Sequence, residues 1–191
     1  MAEHPDTPVT QMDPVEGKKG GKVLLTLHFT IPQLMPAFLR DANTSQSVID
    51  IMNRLYLELR PDIFDDLFSL LLGDNGSEFS NPAALEIDSQ GNQRTLVFYC
   101  NPSSPYQKGA AENNHELIRR VIPKGISLDD FTQADISKMM NHINCYPRKN
   151  LGNKTPYEVF AALYGEDILK KLGVSFILAD EVTLRPSLLK K

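Results

Sequence analysis

The chain has 191 residues, of which 41% are hydrophobic and 23% are charged, and its formal net charge is −4. These values are typical of a soluble globular protein with a core of ordinary size. No apolar run reaches the roughly 18 residues that cross a bilayer, and the polar N-terminus does not resemble a secretory signal peptide. The two cysteines, Cys100 and Cys145, match no metal-binding spacing, so we expect a cytoplasmic, reduced protein.

Charge is distributed unevenly along the chain. Residues 41–88 contain ten acids and two bases, whereas residues 104–154 contain eight bases and five acids. The net negative charge argues against a general nucleic-acid binder. A basic half is nevertheless able to meet a polyanion while an acidic half holds metal. The simpler interpretation of both runs is a solvated surface.

The first elements predicted, after a disordered lead at residues 1–9, are three strands. They are expected at 9–16, 22–29 and 34–40, with a glycine-rich hairpin turn at 18–22. Their short connections predict an antiparallel meander. His28, on the apolar second strand, is expected to be a core histidine with satisfied hydrogen bonds.

The hydrophobic spacing then becomes helical, in a stripe that ends at Leu59. Thr44 or Ser45 is the expected N-cap, and Pro61 is expected to stop the helix. A fourth strand is predicted at 68–72. A polar insertion at 81–94 should contain a short helix and a hairpin.

The remaining elements are a fifth strand at 95–99 and helices at about 108–122, 132–144 and 156–164, with one possible strand at 174–178. This order of strands and helices predicts an α/β fold with a mixed five-stranded sheet and helices on its faces.

Asp74 follows an apolar strand directly and opens the turn Asp74-Asn75-Gly76. Asn and Gly both tolerate left-handed backbone, so the chain can turn sharply here. Taken alone, this sequence is most often just a turn. Two more acids occur in matching settings. Asp13 lies in the first predicted strand, and Glu112 lies in the helix predicted at about 108–122. Glu78 is expected to fix the turn after Asp74.

Three carboxylates that converge at one sheet edge would repel one another unless a cation lay between them. We therefore predict that Asp13, Asp74 and Glu112 hold a pair of Mg²⁺ ions, which prefer oxygen ligands. Two such ions can activate the attacking oxygen and stabilise the leaving oxygen in phosphodiester chemistry. The alternative for each acid alone is a solvated or capping carboxylate.

Several motifs in this order carry a family resemblance. They are the segments 13–21, 44–48, 74–79, 106–113 and 144–158. Together they resemble the catalytic core of bacterial insertion-sequence transposases, in particular the insertion-sequence-thirty family of the integrase core group. The resemblance covers about residues 10–165, which leaves 166–191 as a C-terminal extension. It implies a ribonuclease-H-like fold, a DDE site of Asp13, Asp74 and Glu112, and Mg²⁺ or Mn²⁺ as cofactor.

The implied activity is the cutting and joining of transposon DNA ends by a homo-oligomer. Basic side chains near the site are candidates for DNA phosphate contacts, with a solvated surface as the equal alternative. They are Lys108, Arg119, Arg148, Lys149 and Lys154. Asn75 and Asn113 are expected to orient the acids by hydrogen bonds. His115, one helical turn from Glu112, is expected to be a bystander.

Two rival functions stay open at this stage. One is a non-catalytic remnant that binds DNA or a partner transposase, since such transposases carry an N-terminal helix-turn-helix region and this sequence starts almost at the first strand. The other is a metal-dependent nuclease for RNA–DNA hybrids with the same fold, which the transposase-like motifs outside the acids disfavour.

Overall fold

A computed structural model describes residues 8–100 and 109–189, and within 109–113 it describes only the course of the backbone. This part of the chain forms five strands and seven α-helices. The strands are β1 (Thr10–Glu16), β2 (Val23–Phe29), β3 (Ala37–Arg40), β4 (Leu70–Gly73) and β5 (Leu96–Tyr99). The helices are α1 (Ser45–Glu58), α2 (Pro61–Phe68), α3 (Pro82–Glu86), α4 (Gly109–Val121), α5 (Gln133–Asn144), α6 (Pro156–Tyr164) and α7 (Glu166–Lys171).

The strands form one mixed sheet in the order β3-β2-β1-β4-β5. β1, β2 and β3 are antiparallel, as the predicted meander requires. β4 lies parallel to β1 on one side and to β5 on the other. β1 is therefore the central strand and has β4 as its neighbour, so the α/β fold class and the five-stranded mixed sheet are confirmed.

Successive side chains of β1 and β2 point to opposite faces of the sheet, because strands have a period of two. Met12 and Leu25 belong to a buried cluster with residues of α1, α2, α6 and α7, and we call this side the α1 face. Val15 and Leu24 belong to a second cluster with residues of α4 and α5, and we call this side the α4 face. Chain beyond residue 165 joins both clusters, through Leu169 on the first and Leu189 on the second.

β3 is shorter than the strand predicted at 34–40. The backbone N–H groups of β2 still donate to Leu34 and Pro36, at 2.9 and 3.1 Å, so the segment runs along β2. Pro36 has no N–H to extend the pairing. Met35 instead bonds to the side-chain amide of Asn144, which accepts from the Met35 N–H at 2.9 Å and donates to its carbonyl at 3.0 Å.

Three other predictions need correction, at Pro61, at the strand predicted at 68–72 and at the possible strand at 174–178. α1 begins after the predicted N-cap Thr44 and ends at Glu58, but Pro61 starts α2 instead of merely stopping α1. Proline suits the first turn of a helix, where its missing N–H costs nothing. Phe68 consequently ends α2, and β4 begins only at Leu70. The segment at 174–178 is irregular, and its buried residue Val174 packs in the α1-face cluster.

The paired bonds of Asn144 generate a prediction about stability. Asn144 is 0% exposed, so Asn144→Ala would bury an unpaired N–H and an unpaired carbonyl at Met35. Each such group costs about 1–3 kcal/mol, and we expect the free energy of unfolding to fall by about 3 kcal/mol. Urea denaturation measures it. Asn141→Ala, one turn earlier on α5 and half-buried, is the control and should cost less than half as much. Equal losses in the two variants would contradict this account.

Candidate active site beside β1 and the end of β4

Asp13 and Asp74 lie at the same level of two adjacent parallel strands. Gln11 of β1 is the register partner of Leu72 of β4. Asp13 follows Gln11 by two residues within β1, and Asp74 follows Leu72 by two residues, one position past the end of β4. Extending the register by two positions therefore sets residues 13 and 74 opposite each other on neighbouring backbones, which are about 4.8 Å apart in a sheet. Both residues are half-buried. The sheet thus brings together two of the three predicted acids, which are separated by 61 positions in the chain (74 − 13).

The turn after β4 holds Asp74 in place through its own hydrogen bonds. The Asp74 Oδ1 accepts from the Gly76 N–H at 2.9 Å, and Asn75 Nδ2 donates to the Cys100 carbonyl at 3.2 Å, just after β5. Gly73 lies against Phe79, where an added Cβ would be 3.3 Å from the ring. Asn75 therefore acts on the turn by tying it to the neighbouring strand.

Asp13 belongs to the α4 face of the sheet. Its cross-strand partner on β2 is Thr26, and directly opposed residues project from the same face. Thr26 Oγ1 donates to the Asp13 carbonyl at 3.0 Å and lies 3.0 Å from His115 Nε2 on α4. A hydroxyl has a single proton, so the Nε2–H of His115 is the donor in the second contact. His115 is thus a structural link between α4 and β2, and the expectation that it takes no part in the metal site stays a prediction.

Glu112 lies on α4 three residues before His115, in a part of the helix where only the backbone is described. Residues three apart lie on one face of a helix, so helix periodicity assigns positions 112 and 115 to the same side of α4. The side chains of Glu112 and Asn113 lie outside the described residues, as does all of Lys108. Convergence of Glu112 with the two aspartates therefore stays a prediction.

Both arginines of the predicted DNA-contacting set form hydrogen bonds within the protein. Arg119 Nη2 donates to the Glu16 carbonyl at 2.8 Å, at the end of β1. Arg148 Nη2 donates to Asn114 Oδ1 at 2.8 Å and to the Ile143 carbonyl at 3.1 Å. Burial lowers the pKa of Arg148 to about 10, which still leaves it charged at neutral pH.

The two described lysines of the predicted set, Lys149 and Lys154, are exposed. Both lie in the loop between α5 and α6, and this loop is closed by a bond from the Arg148 N–H to the Lys154 carbonyl at 2.9 Å. They are available to a phosphate backbone in a way that Arg148 is not.

A buried pair of charges that sequence reasoning missed lies beside the Asp74 turn. Glu78 is 5% exposed and Arg40, at the end of β3, is 3% exposed. Burial lowers the pKa of Arg40, and the nearby charge of Glu78 partly raises it again. Arg40 also donates to Ser47 Oγ at 3.0 Å and to Asn43 Oδ1 at 2.8 Å. The carboxylate of Glu78 and the guanidinium at the junction of β3 and α1 are therefore close enough for their charges to interact. A Glu four residues after Asp74 was visible in the sequence, but its partner was not.

His28 lies deeper on the α4 face and is only half satisfied. Its Nδ1 is 3.3 Å from Gln11 Oε1, whereas its Nε2 meets no hydrogen-bond partner among the described residues. The expectation of a fully satisfied core histidine was therefore wrong for one of its two nitrogens. Burial, followed by the charges of His115 and Arg148, lowers the pKa of His28 to about 4.

This shift predicts a pH dependence of stability. Between about pH 4 and pH 6.5 the unfolded chain binds a proton at His28 that the folded chain excludes, so stability rises with pH in this window and is lost on acidification. The difference of roughly 2.5 pH units corresponds to about 3 kcal/mol. We expect His28→Gln to flatten the slope of the unfolding free energy between pH 4 and 6.5, as measured by urea denaturation. Identical slopes in wild type and variant would contradict the assignment.

No family model matches the chain. Curated relatives do match. The transposase for insertion sequence element IS1086 of Cupriavidus metallidurans is 30% identical over 121 residues, which are 63% of this chain and 33% of the relative. The transposase for IS4351 of Bacteroides fragilis is 33% identical over 103 residues, which are 53% and 30% of the two chains. Transposase InsI for IS30A of Escherichia coli K12 is 41% identical over 63 residues, which are 33% and 16%.

These relatives of the chain are all transposases of bacterial insertion sequences. The resemblance that the motifs carry is confirmed, including its insertion-sequence-thirty component. The chain spans a third or less of the length of these three relatives. What the rest of each relative contributes therefore lies beyond the matched part.

Solved structures with the same fold come from retroviral integrases. The catalytic core domain of BIV integrase superposes with a TM-score of 0.56 at 19% identity, covering 85% of this chain and 99% of that one. The simian T-cell lymphotropic virus intasome, solved in complex with a PP2A regulatory subunit, gives 0.59 at 16% identity, covering 80% and 54%. At such identities the likeness establishes the integrase-core, ribonuclease-H-like fold.

No helix in the described ranges is long and apolar enough to span a bilayer.

Proposed function

We propose that this chain is the catalytic core of a DDE transposase, which cuts and joins DNA at Asp13, Asp74 and Glu112 in a reaction that depends on Mg²⁺ or Mn²⁺. The observation that carries the proposal is the parallel register of β1 with β4, whose extension by two residues brings Asp13 opposite Asp74. The relatives, which are insertion-sequence transposases, support the reaction class.

The donor set suits hard divalent cations. Asp13 and Asp74 offer carboxylate oxygens, the ligand type that Mg²⁺ prefers. Of the described residues, none forms an ion pair with Asp74. Among the side chains that are described, no cluster of three ligating residues occurs, and Glu112 is the one predicted ligand outside that set. When bound, a pair of such ions activates an attacking oxygen and stabilises the leaving oxygen in phosphodiester chemistry.

The residues of the chain have separate tasks in this proposal. Asp13 within β1, Asp74 just after β4 and Glu112 on α4 would hold the cofactor. Water or a 3′-hydroxyl then attacks the phosphodiester in line, and no covalent link between protein and DNA forms. Lys149 and Lys154, exposed on the α5–α6 loop, contact the DNA backbone. A homo-oligomer acts, because two transposon ends have to be processed together.

The function is tested by nicking of supercoiled plasmid in Mn²⁺, an assay that needs no knowledge of the transposon ends. We expect the chain to nick DNA, EDTA to abolish the activity, and Asp74→Asn to lower it by at least about a hundredfold. The substitution should spare the fold, because the asparagine Oδ1 can still accept from the Gly76 N–H. The matched control is Asp50→Asn, an exposed acid on α1 at the opposite face of the sheet, which should retain full activity.

Other outcomes separate the rival functions. Equal nicking by wild type and Asp74→Asn would assign the activity to something other than this site. Retention of DNA binding without nicking, together with no Mn²⁺ binding by calorimetry in the presence of DNA, would favour the non-catalytic remnant. Selective cleavage of an RNA–DNA hybrid over duplex DNA would favour the hybrid nuclease.

A further inference from the structure

We propose that Arg148 and His115 are positioning residues, which together lock the N-terminal half of α4 against the sheet so that Glu112 comes level with Asp13. This inference rests on the proposed function for the role of Glu112, and it reassigns Arg148 from DNA contact to support of the site.

The first lock is the guanidinium of Arg148. It is half-buried, and a single nitrogen, Nη2, donates both to Asn114 Oδ1 at 2.8 Å and to the carbonyl of Ile143 at 3.1 Å. Asn114 is 4% exposed and lies on α4 two residues after Glu112. Arg148 therefore joins α4 to the C-terminal end of α5.

The second lock is made by the next residue of α4. His115 Nε2 lies 3.0 Å from Thr26 Oγ1, whose proton goes to the backbone carbonyl of Asp13 at 3.0 Å. One side chain, that of Thr26, therefore connects His115 on α4 to the backbone of Asp13. Two consecutive residues, Asn114 and His115, hold α4 in two directions, toward α5 and toward β2.

The segment that carries Arg148 is built to stay in place. The Arg148 carbonyl accepts from the N–H groups of Leu151 and Asn153, at 3.1 and 2.9 Å, and its own N–H donates to Lys154. Gly152 and Asn153 have φ values of 65° and 64°, the left-handed backbone that closes this tight loop. The Tyr146 ring lies 5.6 Å from the guanidinium carbon and covers it further.

This burial distinguishes Arg148 from its neighbours in the loop. A residue that neutralises a DNA phosphate needs an exposed charge, as Lys149 and Lys154 have. The Arg148 guanidinium is instead directed at two acceptors inside the protein. Lysine would keep the positive charge but lacks the planar guanidinium whose Nη2 reaches both acceptors, so Arg148→Lys separates the two roles.

The experiment compares Arg148→Lys, Asn114→Ala, the double variant and Lys149→Ala in the 191-residue chain. Three quantities are measured: Mn²⁺ affinity by calorimetry, the salt dependence of binding to a random-sequence duplex, and amide hydrogen exchange of residues 115–121. We expect Arg148→Lys and Asn114→Ala each to weaken Mn²⁺ binding by about 10–100-fold, the range for residues that orient a metal ligand. The double variant should be no worse than Arg148→Lys alone, because the contact that Asn114→Ala removes is already lost when Arg148 is replaced.

The other readouts identify the role of each residue. Amide exchange in α4 should accelerate in both single variants and in Thr26→Val, which breaks the second lock. Lys149→Ala should leave Mn²⁺ affinity and exchange unchanged but lower the slope of log affinity against log salt by about one. Circular dichroism and a thermal melt establish that each variant is folded before its other values are compared.

The inference is overturned if Arg148→Lys leaves α4 exchange at the wild-type rate, whatever happens to Mn²⁺. It is also overturned if Arg148→Gln lowers the salt slope as Lys149→Ala does, since that result makes Arg148 a phosphate contact. If the wild type binds no Mn²⁺ but amide exchange in α4 still accelerates when either lock is broken, the proposed metal site is wrong and the two locks are confirmed. The two failures are therefore distinguishable.

Discussion

The parallel pairing of β1 with β4 is the constraint on which the site depends, because it sets Asp13 and Asp74 beside each other at one sheet edge. Two carboxylates that are brought close together repel one another. The antiparallel pairing of β1 with β2 fixes the register of Asp13, and hydrogen bonds within the turn fix Asp74. These hydrogen bonds fix the positions of β1 and of the turn after β4 relative to each other.

Polar contacts, and not apolar packing alone, attach α4 to the sheet on this side. The contacts of Thr26 with His115 and of Arg148 with Asn114 are directional, so they specify where the helix sits along its axis as well as how close it lies. Burying polar groups costs free energy, and this cost is not recovered at His28 Nε2, which has no hydrogen-bond partner among the described residues. Buried polar groups that are incompletely satisfied are common where position matters more than stability.

Local patterns predicted most elements of the fold, and the errors have physical causes. The alternation in 22–29 predicted strand β2, and the expected N-cap Thr44 predicted the start of α1. Pro61 was misread because proline at the end of one helix can equally begin the next. The β3 boundary depended on Asn144, 109 residues away from Met35. Local patterns also could not predict the roles of the basic residues, because a run of charged residues in the sequence does not reveal which guanidinium is buried.

The sequence by itself determined the class of fold, the spacing of the acids and the kinship with insertion-sequence transposases, because periodicity, turn residues and motif order are all written along the chain. Only the tertiary structure decided which side chains meet. It set Asp13 level with Asp74, turned Arg148 inward to Asn114 and left Lys149 outside. These outcomes depend on strand register and on helix placement, which are fixed by the packing of segments far apart in sequence.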